Sequence, residues 1–247
     1  MPRMQILSAS EQTRFDLPPD LDSLDRKRLF DLPKGLLDLA GGFHGSSNKI
    51  GFLLMCGYFR ARHRFFQPRD FRARDIAVTA HMLNLSPNSF TADRYVKSTR
   101  ARHQRVILDF YGFRSFDRQA EALLGDQVAR MARVHLKPKA IFERCLDYLI
   151  QSRIQVPNSF RLSDLIRAGL STRKGQLVGQ VDKLLDENTR RTLDNLFDQD
   201  GDDNRYRLTL LKRQSQSTKP AKIKESAADS RLMAELFDQL SRVLDEL

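Results

Sequence analysis

Thr79-Ala80-His81-Met82-Leu83-Asn84-Leu85-Ser86-Pro87-Asn88-Ser89-Phe90 carries the strongest structural signal in the chain. Its spacing is that of a helix, a tight turn and a second helix. Ala80 is small where two steeply crossed helices must approach, and Leu83, Leu85 and Phe90 supply the apolar contacts between them. Asn84 falls where such a turn needs a left-handed residue, a backbone that Asn tolerates better than other non-glycine residues. Ser86-Pro87 restarts the chain, with Ser as N-cap and Pro at the first helical position. The pattern predicts a helix-turn-helix over residues 72–96, its helices at 71–83 and 87–96. In that arrangement Asn88, Ser89, Thr91 and Arg94 project from the early turns of the second helix, where such motifs meet base edges and phosphates. Arg94 stands where a second apolar residue is expected, and Tyr95 takes its place. The same capping logic fits an ordinary corner between two bundle helices, so spacing alone leaves both readings open.

Charge separates them. The formal net charge is +11 over 247 residues, and it is unevenly distributed. Residues 1–59 balance seven Lys and Arg against seven Asp and Glu, residues 60–118 carry thirteen against five, and the remainder twenty-two against nineteen. The excess therefore surrounds the motif, as phosphate neutralisation requires. Just beyond it, Ser98 or Thr99 is expected to cap a helix with Arg100, Arg102, His103 and Arg105 on its polar side and Val106, Ile107, Phe110 and Tyr111 toward the core. Gly112 ends it. That basic side would hold phosphates and fix register while the second motif helix reads bases. The candidate DNA-binding residues are thus Asn88, Ser89, Thr91, Arg94, Lys97, Arg100, Arg102, His103 and Arg105. His63, beside arginines, is a further phosphate candidate. Duplex DNA is favoured over RNA because the A-form major groove is too deep and narrow for a reading helix.

Elsewhere the chain predicts helices throughout. Residues 1–7 form a short arm before a capping box at Ser8-Ala9-Ser10-Glu11. Two acidic amphipathic helices (21–30 and 32–40) follow, then a glycine-rich loop at 41–47 and a long apolar helix (48–66). After Phe116, helices are expected at 117–136, 138–153, 163–168, 171–185 and 188–197, with Gly169 marking a turn and residues 162–171 a faint second helix-turn-helix. Residues 212–224 read as a linker, and 227–247 as an amphipathic helix whose stripe of Leu232, Leu236, Leu240 and Leu244 needs a partner. The fold class is all-α, organised as 1–118, 119–211 and a 212–247 tail. Dimerisation through the tail is the competing mode of action, that of a protein-interaction or repressor-like module.

Several chemistries are disfavoured. Asp198-Gln199-Asp200-Gly201-Asp202-Asp203 lacks calcium-loop spacing and reads as a polar turn. The five histidines have no zinc spacing, and no nucleophile and base can be paired. The rings of Tyr58, Phe59, Phe65 and Phe66 alternate with arginines at helical spacing, which favours core over a base-stacking platform. Cys56 and Cys145 lie in apolar surroundings and read as buried thiols. No cofactor, small-molecule substrate or membrane partner is expected; no run approaches membrane-spanning length and no secretory leader precedes the first helix.

Met1-Pro2-Arg3 with Ile6-Leu7-Ser8, Asn48-Lys49-Ile50-Gly51-Phe52, Thr99-Arg100-Ala101-Arg102-His103 and Gly112-Phe113-Arg114-Ser115-Phe116 together resemble the N-terminal region of the large replicative transposases of the Tn-three family. Tyr206-Arg207-Leu208 and Ser217-Thr218-Lys219-Pro220 match more loosely. The resemblance implies binding of duplex DNA at transposon terminal inverted repeats, in a bacterial cytoplasm and at the nucleoid when bound. It also implies a distant RNase H-like domain, Mg-dependent, that this chain does not contain, so no catalysis is expected of the chain alone. It fits an isolated part of a transposase and a shortened relative equally.

Overall fold

The computed structural model describes residues 4–134, 137–200, 205–206 and 219–245. The all-α class holds, and the chain divides into two compact units, residues 1–171 and 172–247. The first contains α1 (Ala9–Asp16), α2 (Ser23–Phe30), α3 (Lys34–Gly42), α4 (Ser46–Arg62), α5 (Ala73–Met82), α6 (Lys97–Tyr111), α7 (Arg118–Arg133), α8 (Pro138–Gln151) and the start of α9 (Ser159–Leu184). The second holds the rest of α9, α10 (Glu187–Leu196), α11 (Pro220–Asp245) and a two-residue antiparallel pair, Gln199–Asp200 with Arg205–Tyr206.

The first unit is organised around α4, in which every residue from 50 to 59 is buried. A helix apolar on all sides must be covered on all sides, and α2, α3, α5 and α6 pack onto it. Two glycines make the approach possible. A Cβ on Gly57 would lie 2.2 Å from the Phe30 ring and one on Gly51 would lie 2.5 Å from the Tyr95 ring. Polar anchors orient the covering helices. Tyr58 donates to the buried Asp75 of α5 at 2.7 Å, and Asp75 also pairs with Arg26 of α2 at 2.6 Å. Burial and the Asp75 carboxylate both push the Tyr58 phenol upward, so it stays a donor.

A second apolar cluster joins α7, α8 and the start of α9, through Leu124, Val128, Ile141, Leu149, Leu162 and Ile166 among others. Ile6 is buried in it, so that end of the expected short arm is packed down; Met1, Pro2 and Arg3 lie outside the described residues. The boundary expected near residue 118 therefore separates two cores inside one compact unit. Backbone bonds join them: the Val156 N–H donates to the His63 carbonyl at 2.9 Å, and Arg114 bridges to Ile154. Asp16 reinforces the junction, accepting from Arg64 at 2.9 Å, from the Ser159 N–H at 3.0 Å and from the Ser159 hydroxyl.

Local signals hold where they are self-contained. Ser8 and Glu11 form the reciprocal capping box. Gly112 is left-handed after α6. Cys56 and Cys145 are buried free thiols, both pushed up by burial, Cys145 to about 12. Gly169 is the main failure: it lies inside the continuous α9, which removes both the turn and the second helix-turn-helix. Its missing side chain serves a close approach, since a Cβ there would lie 2.5 Å from Val128 of α7. In the second unit, Leu236 is 3% exposed and Thr189 of α10 donates to Gln239 of α11 at 3.0 Å. The expected leucine stripe is therefore covered at its centre within the chain. Residues 220–224 are helical, whereas 212–218 of the expected linker lie outside the described residues.

Candidate nucleic-acid interface

α5 ends as its sequence predicts. Asn84 is left-handed at φ 55°, the Leu85 N–H donates to the Ala80 carbonyl at 2.9 Å and the Asn84 N–H to His81 at 3.0 Å. This paired closure satisfies carbonyls that the helix end leaves open.

The second helix of the expected motif does not form. Residues 87–96 make two short 3-10 turns, Pro87–Ser89 and Ala92–Arg94, with extended backbone at Phe90 and Thr91. The cause lies in α4. Ser47, 6% exposed, donates its hydroxyl to the Ser89 carbonyl at 3.2 Å and accepts the Thr91 N–H at 3.0 Å. Those are groups that an α-helix would bond to its own next turn. Phe90 stacks on Phe71 with centroids 5.8 Å apart, and Tyr95 is buried against Gly51. Asn88 and Thr91 are exposed on this bend, and Ser89 is half-buried with its hydroxyl donating to the Ser86 carbonyl. None of the three projects from a helix as a helix-turn-helix requires.

The next true helix is α6, which begins at Lys97. Val96 precedes it and offers no side-chain cap, so Ser98 and Thr99 are not caps and the first-turn N–H groups stay open. An open groove of about 550 Å³ lies there, lined by Gln67, Arg69, Asp93, Lys97 and Arg100 among others. Arg100 is half-buried and donates to Gln67 at 2.7 Å. Arg94, Lys97, Arg102 and Arg105 are exposed. Among the described residues none of these four pairs with a carboxylate.

His103 is not on that surface. It is fully buried, its Nδ1 lies 2.7 Å from the Tyr95 hydroxyl, and its ring stacks on Phe43 at 4.2 Å. Burial, then the charge of Arg102, lower its pKa to about 4, so the ring is neutral at physiological pH. The Tyr95 hydroxyl also lies 3.7 Å from the Met55 sulfur, and the His103 Nε2 has no hydrogen-bond partner among the described residues. Phe110, expected inward, is 43% exposed. His63, the further phosphate candidate, is half-buried and stacked on Phe113, and its pKa is lowered by burial and then Arg153. Tyr58, Phe59 and Phe66 are core, and Phe65 packs against that core.

The surface thus combines open backbone donors with unpaired cations on a helix whose other side is fixed in the core. Among the described residues no three His, Cys, Asp or Glu side chains group as a metal site, and no helix is long and apolar enough to cross a membrane. Sequence reasoning missed Ser47, Gln67 and Arg69, and only Arg69 carried a signal, as part of the basic stretch.

Fold and surface together define an all-α protein presenting one basic helix from a buried helical core. The chain belongs to a family described as a domain of unknown function, DUF4158, whose model matches residues 6–169. No curated protein matches the sequence.

Proposed function

We propose that this chain binds duplex DNA through α6, and that it does so as the end-binding part of a Tn-three-like transposase, recognising terminal inverted repeats without cutting them. The observation that carries the reading is a set of exposed cations, Arg94 just before α6 and Lys97, Arg102 and Arg105 along it, none paired with a carboxylate among the described residues, on a helix with an uncapped first turn. Solvated arginines without partners bind phosphate at little cost, and helix N-termini favour anions. The groove-reading element is α6 rather than residues 87–96. Ser98, Arg102 and Arg105 recur at i, i+4 and i+7 and share a face, so base contacts fall to this stripe while Lys97 and Arg100 hold backbone near the open first turn. Asn88 and Thr91 flank the phosphates. The resemblance to transposase N-terminal regions supplies the identity of the DNA.

The test is fluorescence anisotropy with duplexes drawn from the ends of the element that encodes the chain, beside scrambled duplexes, over several salt concentrations. Tighter binding to the end sequence is expected, with affinity falling steeply as salt rises. Equal affinity for both duplexes at every salt would remove specific recognition, and salt-independent binding would remove the phosphate contacts.

A further inference from the structure

Away from α6, the first unit has a pocket of about 430 Å³ where α1, the end of α4 and α8 meet. That volume is in the range of sites that take a small organic molecule. Its walls are mainly apolar, with Phe15, Phe142, Leu146 and Ile150 among them. Phe15 and Phe142 meet edge to face with centroids 5.2 Å apart, so this side is fixed. Arg64 fixes another. It is 5% exposed, its Nη1 donates to the Phe15 carbonyl at 2.8 Å and its Nη2 to Asp16, and its guanidinium lies over the Phe15 ring.

The charges at the pocket are unequal. Glu11 accepts from the Ser8 N–H at 2.8 Å and from Lys139 at 2.6 Å, so its carboxylate is already held. Glu143 lies in the field of the same lysine. Arg14 and Arg62 also line the pocket, both are exposed, and neither pairs with a carboxylate among the described residues. The Nε of Arg64, itself buried, has no hydrogen-bond partner among them either. A neutral apolar molecule would satisfy the walls and leave these cations as they are. An anion without an apolar body would leave the walls wet.

We infer that this pocket binds a small monocarboxylic acid with an apolar body, the body against Phe15, Phe142, Leu146 and Ile150 and the carboxylate between Arg14 and Arg62. None of the pocket's lining residues belongs to the α6 surface.

Octanoate, kept below its micellar range, is the probe, and 1-octanol its uncharged counterpart. Isothermal titration with the full chain should give saturable octanoate binding, about tenfold tighter than octanol if two exposed ion contacts each add a fraction of a kcal/mol. Arg14→Ala with Arg62→Ala should erase that preference and leave octanol binding unchanged. Ala61→Leu, which adds bulk at the wall, should weaken both ligands. Absence of saturable octanoate binding, equal affinity for octanoate and octanol, or a double-arginine variant that keeps the preference would each overturn the site. Arg14 and Arg62 are exposed, so that double variant decides the question even if Ala61→Leu fails to fold.

Discussion

Residues 60–72 and 94–105 each carry five Lys and Arg, and most of those cations are put to opposite use. In the first stretch Arg60 donates to the Leu29 and Asp31 carbonyls, Arg64 to the Phe15 carbonyl and Asp16, and Arg72 to the Pro18 carbonyl. In the second, Arg94, Lys97, Arg102 and Arg105 stand in solvent without carboxylate partners among the described residues. The difference follows from position. The first stretch closes a helix buried on every side, where open carbonyls and the ends of neighbouring helices converge on it. The second opens a helix that is buried on one side only. A run of positive charge therefore measures binding capacity only after the cations that tie the chain to itself have been subtracted.

The sharpest way to break this contrast is Arg64→Ala. Removing a buried cation leaves the Asp16 carboxylate and the Phe15 carbonyl without their arginine partner, and the expected loss is about 3 kcal/mol in urea unfolding. Arg102→Ala should stay within about 0.5 kcal/mol of the parent in the same measurement. Similar losses for the two would erase the distinction. Next in size is the pH dependence set by His103. Its folded pKa is near 4 against 6.5 for the free group. Between those values the unfolded chain binds the extra proton, so stability is fully present above pH 6.5 and falls as pH drops toward 4, by up to about 3 kcal/mol. His103→Gln should flatten that part of the stability curve. An unchanged slope in this variant would return His103 to the surface.

Gly51→Ala should cost about 2 kcal/mol, because the new methyl meets the Tyr95 ring and the core must give way. The smallest effects belong to the exposed stretch. Arg102→Ala and Arg105→Ala should each lower the salt slope of DNA binding by about 0.9 with thermal stability unchanged. Arg60→Ala should do the reverse, and a matching drop in salt slope there would show that both stretches touch DNA.

How much of this was legible depends on how far each cause lies along the chain. The Ser8 capping box, the left-handed Asn84 and the Gly112 stop are written in residues within one or two turns of each other, and each is found as read, whereas the apolar helix expected to run to 66 ends at Arg62 with His63 left-handed. The bend at 87–96 is not local. Its Ser and Pro satisfy every rule for starting a helix, but the hydroxyl that diverts the backbone is Ser47, more than forty positions earlier. Gly169 was ambiguous by nature, since a glycine that makes room for Val128 and one that turns the chain are the same letter. His103 could have been placed better. It stands one helical turn before Ile107, on the inward face, and residue type outweighed periodicity. The basic surface itself was legible as a charge excess, but which arginines compose it was not.

The two notches on α4 have a consequence for the family's history. Gly51 receives Tyr95 and Gly57 receives Phe30, each a ring seated where a methyl would collide. Each pair is a single steric decision shared by two distant positions, so neither member can drift alone. Among relatives, a larger residue at the position of Gly51 should arrive with a smaller one at that of Tyr95, and likewise for Gly57 and Phe30. Where both glycines have changed, the rings should have shrunk as well, and the start of α6, which Tyr95 positions, should have changed its own composition in step.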